Sequence, residues 1–349
     1  MEVKLTTLSP VHIGTEERLT AYVDYIYDDG YLYYIDYDKL GKRIASLPDS
    51  QEVMDNFVKV VRKQSDSKSR AQYDLQKFIE KNFKTEDDLY RNKVPAYTEV
   101  TEEVSAQIKS SGRPFIPGSS VKGALRTAIL AYHIREEGYN LKNQSRGGYI
   151  GEDIFGEFNK DVMKNLQVSD TDKLASDMLE IATSRRYHLE EFSHQMTVQK
   201  EAIRKGAELK FSVHGKAYDI SERFSYLKPG KETEILKMAN QFSLEFLKEE
   251  LEIVSNITDL REIESKYKSL LNQAKEYQDK GEGALLRLGS GKSFYNNVIL
   301  NYYNKEDREK ILRKIKDDEK VELFPKTRSV IIKNGKISDV LGWIKMEKV

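Results

Sequence analysis

Between Phe115 and Arg126 the chain reads Phe-Ile-Pro-Gly-Ser-Ser-Val-Lys-Gly-Ala-Leu-Arg, and no other segment limits the fold as tightly. Pro117 and Gly118 stop an extended run, after which Ser119 or Ser120 can cap a helix with a side-chain oxygen. Val121, Ala124, Leu125, Ala128, Ile129 and Tyr132 then recur at helical spacing, giving one apolar stripe over about 120–136 that stops at Gly138. Lys122 and Arg126 flank the stripe one turn apart, in the first two turns. Cations there oppose the partial positive charge of a helix N-terminus, by roughly 0.3–1 kcal/mol each. A phosphate docked on the unpaired N–H groups would resolve that conflict. The alternative is a capped helix whose Lys and Arg face water.

Two further segments stand out. Near the N-terminus, Leu8-Ser9-Pro10-Val11-His12-Ile13-Gly14 reads as a strand end followed by a turn. Near the C-terminus, Leu286-Arg287-Leu288-Gly289-Ser290-Gly291-Lys292 is a glycine-rich loop, and Ser293 completes a Gly-Lys-Ser triplet. ATP binding is rejected, because the Walker pattern requires glycine where this chain has Leu286. What remains is a backbone whose N–H groups can line an anion, with Lys292 as a point charge, set against an ordinary helix-entry turn.

The run Ile116–Arg126, together with these two segments in this order, resembles the RAMP proteins, guide-RNA-binding subunits of CRISPR effector complexes. At this length the combination is most similar to the fifth subunits of type III-A (Csm) complexes. The resemblance implies an α+β fold of two ferredoxin-like (RRM-like) units with inserted helices. It also implies a non-catalytic crRNA-binding subunit of a type III-A interference complex, capping the crRNA 3′ side and involved in crRNA maturation. Its partners would be crRNA, other RAMP subunits and the remainder of that complex, with trimming nucleases as further candidates. No cofactor or metal is expected. Joined to the residue reading, the RNA-binding set comprises His12, Gly14, Ser119, Ser120, Lys122, Arg126, Arg146, Arg287, Gly289, Ser290, Gly291 and Lys292. The rival is a RAMP endoribonuclease, either a Cas6-like processor or a backbone subunit cutting target RNA.

Composition narrows the choice. Acidic and basic side chains balance at 57 each, which argues against nucleic-acid binding over the whole surface but leaves room for a local basic groove. With no cysteine, disulfides, zinc–thiolate sites and thiol catalysis are excluded. No signal peptide and no apolar run near the ~18 residues of a membrane helix occur, so a cytoplasmic protein without membrane contact is expected.

Residues 2–9 alternate loosely and read as an edge strand, and residues 20–28 and 31–36 as a hairpin turning at Asp28-Asp29-Gly30. The hairpin's tyrosines, Tyr22, Tyr25, Tyr27, Tyr31, Tyr33, Tyr34 and Tyr37, invite base stacking, although packing explains them better. Helices are expected over 51–64 and 71–83, and an irregular polar stretch over 92–113. Residues 140–160 read as a loop, and 166–170 as a short strand. The segments 178–188 and 195–214 are β-rich, with Lys205-Gly206 at the tip of a long hairpin carrying Lys200, Arg204 and Lys210. Two amphipathic helices pair over 235–277, helices follow near Ser293 and over 306–317, and strands at 328–333 and 341–347 close the chain. Pro229-Gly230 suggests an N-terminal unit over 1–228, with a helical insertion at about 49–92, and a C-terminal unit over 229–349.

His12 could serve as a general base, but no Tyr/Lys or second His accompanies it at an active-site spacing, so a hydrogen bond to the loop or to RNA is favoured. Asp24 and Asp170 are weighed because RAMP backbone subunits cut with an aspartate, yet nothing marks either as catalytic. The clusters Lys142/Arg146, Arg185/Arg186 and Lys200/Arg204/Lys205 are candidate phosphate contacts. If Lys122 and Arg126 serve only a phosphate, neutralising both should leave thermal stability unchanged or slightly raised.

Overall fold

The structure, a computed structural model, describes residues 1–21, 23–64, 74–83, 89–100, 103–137, 151–292 and 325–349. Strands β1 (Glu2–Thr7) and β2 (Gly14–Leu19) precede the hairpin of β3 (Tyr25–Asp28) and β4 (Tyr31–Ile35). Helices α1 (Tyr37–Ala45), α2 (Ser50–Gln64) and α3 (Asp74–Asn82) come next. Then follow β5 (Tyr90–Pro95), β6 (Val104–Gln107) and the short pair β7 (Lys109–Ser110) and β8 (Arg113–Pro114). Helix α4 (Gly118–Glu137), the single turn α5 (Glu152–Phe155) and β9 (Leu166–Val168) lead to β10 (Leu179–His188), β11 (Ser193–Ile203) and β12 (Glu208–Gly215). Helices α6 (Thr233–Val254) and α7 (Arg261–Lys280) precede β13 (Gly283–Arg287), β14 (Thr327–Lys333), β15 (Lys336–Asp339) and β16 (Trp343–Lys348). The class is α+β. Among the described residues no helix is long and apolar enough to cross a membrane.

Val3, Leu5 and Thr7 alternate inward on β1, the period-two pattern of a strand with one covered face. That pattern does not reveal how many neighbours a strand has. The expected edge strand is in fact central, in a sheet ordered β13-β16-β1-β12-β9, because β16 returns from the far end of the chain to pair with Val3–Thr7. The sheet therefore draws strands from both sides of residue 228. Its core includes Val3 and Leu5, Ala124, Leu125 and Ala128 of α4, and Ile235 and Ala239 of α6. The path β1–α4–β9–β12–α6–β13 traces one ferredoxin-like order, with β16 slotted between its first and last strands.

The second sheet is ordered β15-β14-β10-β11-β6-β2. The expected hairpin over 195–214 does not form, since β11 belongs to this sheet and β12 to the first. The Lys205-Gly206 turn crosses between sheets and is pinned to the end of β1, with the Gly206 N–H donating to the Thr7 carbonyl at 2.8 Å. Ala202, Ile203 and Ala207 on either side of it are buried and only Lys205 and Gly206 are exposed, so no long tip projects.

A third sheet, β3-β4-β5, turns at Asp29 (φ 41°) and Gly30 (φ 78°), as the Asp-Gly pair predicts. The stretch 92–113 is not irregular. It holds β6 and most of β5, whose buried Val94, Val104 and Ala106 alternate in the sequence with polar residues, outward on β5 but buried on β6, where Ser105 and Gln107 are also enclosed. Helix α1 was not expected. Asp36 caps it, accepting from the Lys39 N–H at 3.1 Å, and Leu40 and Ile44 bury its short apolar face. It joins α2 and α3 in a core of their own against Ile26 and Ile35. Helices α6 and α7 pack antiparallel as their periodicity predicts, the Asn240 amide donating to the Ala274 carbonyl at 2.7 Å. The helices expected from Ser293 onward, and Gly138, lie outside the described residues.

Arg328 of β14 reaches Glu250 of α6 through Nε, at 3.0 and 2.8 Å from the two carboxylate oxygens, with the carboxylate 1% exposed. Breaking one side of such a pair leaves a buried charge uncompensated, at a cost of about 3–5 kcal/mol. Arg328→Met should show that loss in urea unfolding, and Arg328→Met/Glu250→Leu should recover most of it.

Candidate nucleic-acid interface

Strand register assembles a row of polar groups that lie far apart in the chain. Arg18 of β2 lies opposite Ser105 of β6, and Ser105 lies opposite Lys200 of β11. Directly opposed residues share a face of the sheet. The Arg18 guanidinium donates to Ser105 Oγ, and Lys200 Nζ donates to Ser290 Oγ. Burial pushes the Lys200 ammonium below its usual pKa, and the charges of Arg18 and Arg186 push the same way. Among the described residues Lys200 makes no ion pair. A half-buried lysine facing two arginines without a carboxylate is an anion-seeking arrangement.

The glycine turn that carries Ser290 is pressed against other backbone. The Ser290 N–H donates to the His12 carbonyl at 3.0 Å, and the Lys292 N–H to the Gly289 carbonyl at 3.2 Å. A Cβ on Gly289 would lie 2.1 Å from the His12 carbonyl oxygen, and one on Gly291 2.0 Å from that of Leu341. The N–H groups expected to line an anion at Ser290 and Lys292 are thus used within the protein. Gly14 is small for a related reason, since its Cβ would sit 2.8 Å from His12 Nε2. His12 is 3% exposed, and its Nδ1–H donates to the Glu201 carbonyl at 2.6 Å. Burial lowers its pKa to about 4, and Lys200 and Arg18 add to the effect, so the imidazole is neutral.

Beneath this face lies Glu201, fully buried, because alternation along β11 turns it inward where Lys200 turns outward. Its carboxylate accepts from Lys109 Nζ at 2.7 Å, the Tyr34 hydroxyl at 2.7 Å and the Gln107 N–H at 3.0 Å. The Gln107 side chain then accepts from the Ile13 N–H at 2.9 Å and donates to the Phe115 carbonyl at 3.2 Å. One network therefore ties the His12 turn to the start of the Phe115–Arg126 motif.

The motif itself differs from expectation in detail. Helix α4 begins at Gly118, whose N–H donates to the Asp170 carboxylate at 2.8 Å. Asp170 is thus the helix-end acceptor. Ser119 and Ser120 sit in the first turn, where neither caps the helix. A Cβ on Gly118 would meet the Val168 carbonyl at 2.3 Å. Arg126 lies over the Phe155 ring at 4.3 Å and pairs with Asp161 at 3.2 Å. Burial lowers the pKa of Lys122, against the raising effect of the same Asp161. Protein carboxylate thus answers the helix-end cations, and neutralising both would remove a stack and an ion pair. Stability should fall, which reverses the expectation from the dipole alone.

Arg287 is 5% exposed, donates through Nε to the Leu341 carbonyl at 3.0 Å, and lies over Phe246 and Trp343 at 5.8 and 5.7 Å. It is a core residue. Arg146 lies outside the described residues. Asp24 accepts from the Thr20 N–H at 2.8 Å and closes a turn ahead of β3. Tyr25 and Tyr34 are buried, as packing predicts, while Tyr31 and Tyr37 are exposed. Among the described residues no group of His, Asp or Glu could hold a metal. The structure brings together His12, Gly14, Gly289, Ser290 and Gly291. Sequence reasoning missed Arg18 and Ser105, and placed Lys200 on a projecting tip. The segment Gly14–Leu19, exposed along most of its length, carries no alternation that could have revealed its register.

The family model described as the RAMP superfamily matches residues 4–295. A curated relative from Methanocaldococcus jannaschii, CRISPR system Cms protein Csm5, is 25% identical, covering 100% of this chain and 89% of that protein. Its namesake from Streptococcus thermophilus is 25% identical over 37% of each chain. Among solved structures, a chain of a type III-A Csm–crRNA–target RNA ternary complex superposes with a TM-score of 0.70 at 22% identity, over 99% of this chain and 100% of that one. Csm5 of T. onnurineus superposes with a TM-score of 0.66 at 18% identity, over 98% and 99%.

His12 gives the site a pH signature. In the unfolded chain the imidazole takes a proton below its ordinary value of 6.5, whereas in the fold it does so only below about 4. Between those values the unfolded state binds more protons, so stability is full above the upper value and falls as pH drops toward the lower. The contribution is on the order of 3 kcal/mol. His12→Gln should flatten the chemical-denaturation profile between pH 7 and pH 4; an unchanged slope would assign the dependence to other groups.

Proposed function

The chain belongs to the RAMP superfamily, and from that footing we propose that it is the crRNA-binding subunit of a type III-A CRISPR complex that covers the 3′ side of the guide. The observation that carries this reading is the row Arg18–Ser105–Lys200, beside Arg186 and under the Ser290 hydroxyl. RNA phosphates lie along that row, held by point charges and one hydroxyl. Lys292 and the hydroxyls of Ser119 and Ser120 in the first turn of α4 supply outlying contacts to the RNA backbone, whereas Lys122 and Arg126 are answered by Asp161. The other faces of a chain with no net charge meet neighbouring RAMP subunits. A cap of this kind sets where trimming nucleases stop, which is how the subunit takes part in maturation.

Binding without cleavage is part of the proposal. His12 is buried and donates to Glu201, while Asp24 and Asp170 accept from backbone N–H groups. A general base needs its nitrogen within reach of a 2′-hydroxyl, and an imidazole 3% exposed is poorly placed for that.

Replacing Lys200, Arg18 and Arg186 with glutamine should weaken binding of single-stranded RNA. The slope of log K against log salt should become shallower by about 0.7 for each phosphate no longer neutralised. Complexes assembled with this variant should carry heterogeneous crRNA 3′ ends and uniform 5′ tags. Unaltered affinity together with unaltered 3′ ends would sink the assignment.

A further inference from the structure

Helices α1–α3 form a body of their own on the three-stranded sheet, and none of the residues assigned to the guide lies in it. Between α2 and α3 is a cleft of about 700 Å³. Every charged residue on its walls is a cation, namely Lys59, Arg62, Lys77 and Lys81, with Val60 and Phe78 as apolar parts. A second hollow, of about 380 Å³, lies beside α1 and is lined by Lys39, Lys42 and Arg43, again without a carboxylate. The nearby acids are turned to other partners. Asp55 accepts from Gln51 at 3.4 Å and Glu80 from Gln76 at 2.9 Å, each one turn away along its own helix. Lys59, Lys77 and Lys81 are exposed and make no ion pair among the described residues.

In a chain whose charges balance, two hollows of one three-helix body whose charged lining residues are all cations form a local positive field. Rings run through the same body: Tyr37 to Phe57 at 6.3 Å, Phe57 to Phe78 at 5.4 Å and Phe78 to Phe83 at 6.2 Å, with Tyr37 44% exposed. Phe78 and Phe83 are buried, which leaves Tyr37 as the exposed ring of this body; cationic grooves with an exposed ring nearby suit single-stranded nucleic acid, whose phosphates and base faces use both.

We infer that the α2–α3 cleft is a second RNA site, binding the phosphates of a single-stranded segment separate from the one at Lys200. Its occupant is RNA. An acidic protein segment would match the charge but has no use for the exposed ring.

The test uses the full chain and a labelled oligouridylate titrated over a series of KCl concentrations. Lys59→Glu/Lys77→Glu/Lys81→Glu should lower affinity by about tenfold or more and reduce the salt slope by about 2, that is, about 0.7 for each of three phosphates. The thermal midpoint should stay put, since the three side chains are exposed. Should charge reversal disturb the helices, the three Lys→Gln changes carry the same expected slope. Lys200→Gln combined with the triple variant should add its own loss, and a null effect of Lys200→Gln alone would fault the guide assignment while leaving the cleft standing. Unchanged affinity and slope in the triple variant overturn the inference. So does displacement of polyglutamate, but not of oligouridylate, by the same substitutions.

Discussion

A carboxylate wholly shut away from water, Glu201, sets the geometry around it. Burying an ionised group costs several kcal/mol unless donors replace its water, and here an ammonium, a phenol and a backbone N–H do so. Those donors come from β7, β4 and β6, while the carboxylate itself is on β11. The β11–β6 pairing is parallel and only two residue pairs long, too short to hold register by ladder bonds alone. The side-chain network holds it instead. Gln107 extends the hold to residues 13 and 115, and the His12 carbonyl extends it to the glycine turn.

That turn illustrates an ambiguity in glycine-rich segments. Glycine permits backbone to approach closely, but composition does not say what approaches. At Gly289, Gly291 and Gly342 it is protein carbonyl, with added Cβ atoms falling 2.0 to 2.2 Å from oxygen. The turn is a joint between the first strand, the last strands and β13. In the proposed RNA site its part is indirect, because it sets the Ser290 hydroxyl against Lys200.

Charge in this RAMP protein is organised locally. Where cations crowd a helix start, the protein supplies Asp161. Where they line up on the second sheet, no carboxylate among the described residues pairs with Lys200. The two situations look alike in sequence, as pairs of Lys and Arg near small residues, and only the surroundings distinguish an internal ion pair from a proposed place for phosphate.

The sequence by itself determined the parts that depend on near neighbours. Helix α4, the α6–α7 pair and the Asp29-Gly30 turn follow from period and from the φ that a residue tolerates, both of which act within a few positions. The motifs around His12, Phe115 and Gly289 were legible for the same reason. Tertiary structure decided the rest. An alternating strand buries the same face with one partner or two, so β1 could not announce that β16 would join it. Nor could 195–214 announce that its halves would enter different sheets. Arg287 reads as a surface cation until Trp343 and Phe246 close around it. The row of Arg18, Ser105 and Lys200 exists only where three strands from distant parts of the chain lie side by side, because hydrogen-bond register between strands leaves no local trace.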